Sequence, residues 1–127
     1  MVSRAVYNLL STNSTLTALV STRIYPVRTP QAVTAPFLVY AISSEPVDTK
    51  DGIATQELHE IQVTAFALTY ESAQSIKAAV KSALDRKNGT IQSNKVQTII
   101  FVDERDGYED APKLFKVDLL FEMRRNV

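Results

Sequence analysis

The single histidine of this 127-residue chain, His59, has the side chain best suited to acid–base or metal chemistry. Two carboxylates, Glu57 and Glu60, stand close to it in the sequence. General acid–base catalysis needs a positioned partner and a pocket, and a metal site usually draws several ligands together. A lone histidine supplies neither, so we interpret His59 as a structural or surface residue.

A run of carboxylates in the last quarter of the chain is the second candidate for chemistry. Its members are Asp103, Glu104, Asp106, Glu109 and Asp110. Oxygen ligands in a flexible turn suit calcium, but the order of these acids does not match the D-x-[DN]-x-[DN]-G spacing with a distant Glu. We therefore interpret the segment as a solvated acidic turn between two strands.

The sequence also lacks the residues that other classes of catalytic or cofactor site require. The three glycines, Gly52, Gly89 and Gly107, stand singly in turn segments, so neither a phosphate-binding loop nor a dinucleotide fingerprint is present. Serine and threonine are frequent, but the sequence has no G-x-S-x-G elbow and no second histidine. The absence of cysteine excludes a thiolate nucleophile, a disulfide and a Cys-based metal site. We predict a protein that is not an enzyme and uses no cofactor or metal.

Length and charge narrow the class further. A chain of this size can form one ordinary domain, and we predict a single domain over residues 1–127. Lys and Arg total 14, as do Asp and Glu, so no net charge draws the molecule to nucleic acid or to an anionic membrane. The longest apolar run, residues 37–42, is far shorter than the roughly 20 residues of a membrane helix. We expect a soluble protein without a membrane segment.

The charges are nevertheless unevenly distributed. Residues 1–44 carry three charged side chains, all positive: Arg4, Arg23 and Arg28. Residues 45–60 and 103–110 are strongly acidic. Copies that stack head to tail would bring a basic surface of one against an acidic surface of the next. The alternative is that these are unrelated surface charges, since exposed ion pairs contribute little individually.

The central elements predicted from periodicity are a strand over 56–66 and a helix over 70–84. Ile61, Val63 and Ala65 alternate with polar residues, which indicates a strand buried on one face. The helix carries an apolar stripe of Ala73, Ile76, Val80, Ala83 and Leu84. Because the connection is so short, we expect the helix to fold back on the sheet that contains its own strand.

The remaining segments complete this architecture. Two short helices are predicted in residues 2–20, a strand over 37–43 and another over 95–102, both apolar on two faces, and a long polar connection over 44–54. The last strand, 113–124, is predicted to turn alternate apolar residues inward: Phe115, Val117, Leu119, Phe121 and Met123. The predicted fold is α+β, with helices packed on one face of a mostly antiparallel four-stranded sheet in the order α-β-β-α-β-β.

Several strings, taken in order, resemble one known family. They are Leu9-Leu10, Leu16-Thr17-Ala18-Leu19-Val20, Arg23-Ile24-Tyr25-Pro26, Ala35-Pro36-Phe37-Leu38-Val39-Tyr40, Glu45-Pro46, Ile61-Gln62-Val63 and Tyr70-Glu71-Ser72-Ala73. Over nearly the whole chain this order is similar to that of the small tail-completion proteins, or tail terminators, of long-tailed phages and prophages. The strings are packing and turn patterns rather than catalytic signatures.

The resemblance implies a virion structural protein. Such subunits form a homohexameric ring that caps the head-proximal end of the tail tube and joins the tail to the head. The implied partners are copies of the chain, the tail tube protein and a head-completion or neck protein. DNA would pass through the channel without specific binding. The implied location is the virion, after assembly in the cytoplasm of the host bacterium.

Two sets of residues are assigned to these contacts. The subunit interface is predicted to include Arg4, Arg23, Tyr25 and Arg28. Channel-facing or partner-facing loops are predicted to present Glu45, Asp48, Asp51, Asp103, Glu104, Asp106, Tyr108, Glu109 and Asp110. The alternative interpretation is a small-ligand-binding or regulatory α+β module of ferredoxin-like type, which an apolar pocket with convergent polar groups would favour.

Overall fold

A computed structural model of the chain describes residues 2–27, 35–47, 56–91, 94–110 and 113–126. The helices within these ranges are α1 (Val2–Ser11), α2 (Ser14–Val20) and α3 (Tyr70–Leu84). The strands are β1 (Ile24–Pro26), β2 (Phe37–Val47), β3 (Gln56–Ala67), β4 (Gly89–Ile91), β5 (Asn94–Asp110) and β6 (Lys113–Asn126).

The described strands form one sheet in the order β1-β2-β3-β6-β5-β4. β1 lies parallel to β2, and every other neighbouring pair is antiparallel. The mixed α+β class is therefore confirmed, but the prediction of four strands is wrong, because six are present in the described residues. The two missed strands, β1 and β4, have three residues each, which is too short to show a period of two.

Two predicted connections also prove to be strand. β2 continues to Val47, so the polar connection expected from residue 44 begins later and Glu45 lies in a strand. β5 continues to Asp110, so the expected acidic turn over 103–110 is instead half of a long β5–β6 hairpin. The antiparallel register of β6 holds both halves of β5, since partner strands supply hydrogen bonds that local sequence does not reveal.

An irregularity in β5 explains how two of its acids, Glu104 and Asp106, point toward the helices. The register shifts between Phe101 and Asp103, so Val102 is an extra residue opposite the continuous strand β6. Such a bulge changes which side of the sheet the following side chains occupy. Before it, Ile99 and Phe101 face the helices; after it, Glu104 pairs with the buried Leu119 and faces them too.

The helices cover one face of the sheet and close the core there. The predicted apolar stripe of α3 and the inward residues of β3 are all buried, and so are Val117, Leu119, Phe121 and Met123 of β6. Leu10 of α1 and Leu16 of α2 join the same cluster. The prediction that the helix folds back on the sheet is confirmed.

Local capping fixes where the helices begin and end. The Thr69 side chain accepts a hydrogen bond from the Ser72 amide at 3.1 Å at the start of α3, and Asn13 accepts one from the Leu16 amide at 2.9 Å at the start of α2. After α3 the turn lies at Asp85 and Arg86, and Gly89, which was expected in a turn, has a φ of 105° as the first residue of β4.

The opposite side of the sheet, which we call the open face, is the outward side of β2, β3, β6 and β5. Two rows of side chains cross its middle: Ala41, Gln62, Leu120 and Asp103, then Ser43, Glu60, Glu122 and Ile100. Half of the Ile100 side chain is exposed (50 %), as is Val102 (47 %). β2 and β5, which include the segments predicted to be apolar on two faces, contribute to this side, and within the described chain its middle region is not covered.

Candidate functional site

The predicted acidic segment lies against α3 rather than standing free in solvent. The Glu104 carboxylate is 2.9 Å from Lys77 Nζ and 3.3 Å from Lys81 Nζ. Lys81 Nζ also lies 4.2 Å from the centre of the Phe101 ring, a cation–π arrangement. These contacts fasten the bulged half of β5 to the helix layer.

Asp106 makes the second link to the same helix. Its carboxylate oxygens accept hydrogen bonds from Tyr70 Oη at 3.2 Å and from Gln74 Nε2 at 3.1 Å. Because both donors lie in the first half of α3, Asp106 and Glu104 together follow the helix along its length. Two of the predicted loop acids thus have a structural role.

The Lys77–Glu104 contact shifts the protonation of both groups. The hydrogen bond and charge of Lys77, with a smaller effect of Lys81, lower the pKa of Glu104 against the opposing effect of burial. The hydrogen bond to Glu104 raises the pKa of Lys77. Both groups are therefore held charged around neutral pH, as a stable tether requires.

The other predicted loop residues are placed differently. Asp103 is exposed on the open face, and Glu109 is 3.6 Å from Lys116 Nζ. Tyr108 is half exposed (48 %). Asp48 and Asp51 lie outside the described residues, as do the side chains of Glu45 and Asp110. No channel is part of a single chain, so the prediction that these residues face one stays a prediction.

A group of large side chains, three of them exposed, lies where β3 ends and α3 begins, beside the paired residues Tyr108 and Phe115 of β5 and β6. We call it the aromatic end, and it consists of Leu68, Tyr70, Tyr108 and Phe115. Leu68 is 66 % exposed and Tyr70 is 50 % exposed. The Phe115 ring centre is 4.9 Å from that of Tyr108 and 6.2 Å from that of Tyr70. Exposed aromatic groups of this kind mark protein contacts more often than solvated surface, and sequence reasoning singled out Tyr108 alone.

The predicted interface residues are not gathered into one patch. Arg4 is exposed on α1, on the helix side of the sheet. Tyr25 is paired in register with Val39, on the side of the open face. Arg23 donates from Nε to the Pro36 carbonyl at 2.8 Å, which joins the chain before β1 to the chain before β2. Arg28 lies outside the described residues.

Two shallow grooves accompany these surfaces. One, of about 330 Å³, follows the open face and is lined mainly by Glu60, Gln62, Asp103, Arg105, Asp118 and Leu120. The other, of about 400 Å³, is lined by Ser3, Arg4, Tyr7, Asn8, Ser11 and Tyr40. Burial, and to a lesser extent Tyr7, raises the pKa of Tyr40 in the second groove.

His59 is buried in β3, with 2 % of its surface exposed. It lies in register with Ser44 of β2 and Met123 of β6, within the sheet rather than in either groove. The described side chains bring no three His, Asp or Glu residues together in a group suited to a metal ion. Within the same ranges, none of the helices has the length and apolar character needed to cross a membrane.

Solved structures share this fold. A chain in the structure of the virion of a native gene transfer agent particle has a TM-score of 0.80 and 19 % identity, over 96 % of this chain and 92 % of that one. A second structure, described only by a sequence identifier, has a TM-score of 0.64 and 9 % identity, over 98 % and 96 % of the two chains. At these identities the likeness concerns the fold. No curated protein matches the sequence.

The family is shown by a sequence profile rather than by fold. The profile of the tail completion protein gp17 matches residues 4–125, which is almost the whole chain. Its extent agrees with the resemblance found in the ordered strings of the sequence, and it identifies a structural component of the phage tail rather than an enzyme. The chain belongs to the tail completion protein gp17 family.

Proposed function

We propose that this protein is the tail terminator subunit that caps the head-proximal end of the tail tube as an oligomeric ring and joins the tail to the head. The match to the tail completion family over residues 4–125 carries the proposal. The likeness to a chain in a gene transfer agent virion agrees with it, because a virion component must present contact surfaces rather than a reaction centre.

The surfaces of the monomer support an assembling subunit. The open face and the outer side of α1 each expose apolar or aromatic side chains together with unpaired charge, and the aromatic end exposes apolar and aromatic side chains. A ring subunit on a tail needs at least two contacts with copies of itself and one with a different partner. We assign the aromatic end, whose charged groups are internally paired, to the tail tube or neck partner.

The acidic segments have a second role in this proposal. In a ring, either the segment 45–52 or the β5 segment 103–110 would face the central channel, where like charge would keep passing DNA from adhering.

Deletion of the gene, followed by complementation, tests the proposal. We expect particles without the protein to show tails of irregular length or tails detached from heads by electron microscopy, and the wild-type gene to restore them. Normal, infectious or transfer-competent particles in the deletion strain would contradict the proposed function. An Ala18→Ser variant, changed at an exposed residue of α2 outside the three surfaces, serves as the complementation control.

A further inference from the structure

The middle of the open face combines unpaired acids with exposed apolar groups. Glu60 and Glu122 are directly opposite each other on β3 and β6, and neither forms an ion pair with a described residue. Like charges directly opposite on one face of a sheet destabilise it. Ile100, in the same row, is half exposed. The opposed acids are costly for an isolated monomer, with Arg124 two residues beyond Glu122 on the same side, and a basic group from a partner would relieve the repulsion.

The outer side of α1 offers the complementary chemistry. Ala5, Val6 and Leu10 are buried against the core, which turns Arg4 and Tyr7 outward. Tyr7 is 42 % exposed, and its ring centre lies 6.5 Å from that of Tyr40 in the groove beside the helix. No acidic residue occurs in residues 1–44. The helix thus presents a cation and an aromatic ring without a neighbouring acid from its own segment.

We infer that α1 of one copy docks on the open face of the next, with Arg4 beside the Glu60–Glu122 pair and Tyr7 against Ile100 and the groove. The inference rests on the proposed ring and names its contact surfaces. Within one chain, α1 and the open face lie on opposite sides of the sheet, so a copy cannot satisfy both by itself. The contact is heterologous, and repetition of it gives a ring or a filament.

Electrostatic repulsion disfavours a face-to-face dimer relative to this arrangement. The described middle of the open face carries more acids (Glu60, Asp103, Asp118 and Glu122) than cations (Arg105 and Arg124). Two such faces packed together would therefore bring an excess of like charge into one interface. Juxtaposed like charges across an interface cost several kcal/mol. Docking of α1 instead supplies Arg4 and removes the apolar area of Ile100 and Val102 from water.

Cysteine cross-linking tests the inference, and the absence of native cysteine makes the readout specific. Tyr7→Cys combined with Gln62→Cys places one thiol on α1 and one on the open face. An intrachain disulfide is excluded because its Cα atoms must lie within about 7 Å and the sheet separates these positions. In purified particles under mild oxidation we expect a ladder of disulfide-linked multimers on non-reducing gels.

A matched control replaces Gln62→Cys by Ala78→Cys, an exposed position on α3. This pair should give monomer. Assembled particles that contain the protein but show no Tyr7–Gln62 ladder would overturn the docking inference and leave the proposed function standing. Dimers from Gln62→Cys alone would indicate the face-to-face arrangement and overturn it as well. Particles that lack the protein would overturn the proposed function, and the docking inference with it.

Charge reversal supplies an independent test. Arg4→Glu and Glu60→Lys should each lower the association constant of one contact about tenfold, which corresponds to about 1.4 kcal/mol, and so reduce assembly. Circular dichroism should show both variants folded, since both residues are exposed. Mixed in equal amounts, the two variants restore every contact when they alternate, so the mixture should assemble like wild type. A mixture that assembles no better than either variant alone would overturn the inference.

Discussion

At the scale of single residues, Glu104 shows how an acid that looks solvent-exposed in the sequence becomes a structural tether. Its contacts with Lys77 and Lys81 depend on the bulge at Val102, which rotates the following residues toward α3. A bulge has no period of its own, so the sequence alone placed Glu104 in a turn. His59 was interpreted from the sequence as a structural or surface residue, and the structure places it in the buried interior of β3.

The tether predicts a pH-dependent loss of stability. Glu104→Gln should lower the free energy of unfolding by up to about 1 kcal/mol at neutral pH, because the pair is partly exposed and screened by solvent. The pKa of Glu104 is lowered in the folded state, so its contribution is present above the unfolded value of 4.5 and disappears as the pH falls through the folded value.

Urea unfolding of wild type and Glu104→Gln at several pH values measures this effect. The difference between the two should be largest near neutrality and vanish well below pH 4.5. A double-mutant cycle with Lys77→Met isolates the pair from other effects of the substitution. An equal difference at neutral and strongly acidic pH would show that Glu104 acts by packing instead of charge.

For the opposed acids of the open face, in contrast, we predict that a substitution raises the free energy of unfolding. Glu60→Gln should raise the stability of the monomer by about 0.5 kcal/mol at low salt, because it removes repulsion from Glu122. Added salt should reduce the gain, since both residues face solvent. Thermal unfolding at two ionic strengths measures this. A loss of stability on substitution would mean that Glu60 has a favourable partner in the monomer.

At the scale of elements, strong periodicity was enough to locate α3, β3 and β6, including their inward residues. Elements whose existence depends on a neighbour were missed: the three-residue strands β1 and β4, and the outer half of β5. Whether such segments form strands depends on pairing with residues distant in the sequence, and a local sequence pattern carries no information about that pairing. The sequence indicated the open face only indirectly, through two predicted strands that carry apolar residues on both faces.

The cap of α3 gives a prediction at this scale. Thr69→Ala should lower the free energy of unfolding by about 1 kcal/mol, because it removes the acceptor for the Ser72 amide at the helix N-terminus. Thr69→Ser keeps that acceptor and serves as the control. Urea denaturation monitored by circular dichroism measures both variants. Equal stability of the alanine and serine variants would show that solvent satisfies the amide equally well.

At the scale of the whole molecule, stability and assembly are carried by different surfaces. The core lies between the helices and one side of the sheet, whereas the open face and the outer side of α1 lie outside it. Within the aromatic end, Phe115 packs against the core and Tyr70 bonds Asp106, but Leu68 is exposed. The exposed side chains on these surfaces can therefore change without unfolding the chain. The sequence shows that the first segment is positively charged and that two later segments are acidic. Only the fold shows on which side of the sheet each segment lies.

At the aromatic end, we expect a substitution to impair the joining of tails to heads without lowering the stability of the monomer. Leu68→Ser should change the free energy of unfolding by less than about 0.5 kcal/mol, since the side chain is 66 % exposed. We expect the same variant to reduce joining of tails to heads in complementation, because it removes an apolar contact with the partner. Ala18→Ser, changed at an exposed residue of α2 outside the named surfaces, is the control. Full activity of Leu68→Ser would remove the aromatic end from the partner contact.

Electron cryomicroscopy of purified particles measures the central claim most directly, namely that this protein acts as a structural cap of the tail. The account predicts density for this fold at the head-proximal end of the tail tube, as a closed ring in which α1 of each copy lies on the open face of its neighbour. A particle with that position filled by another protein, or with this chain absent, would contradict the account.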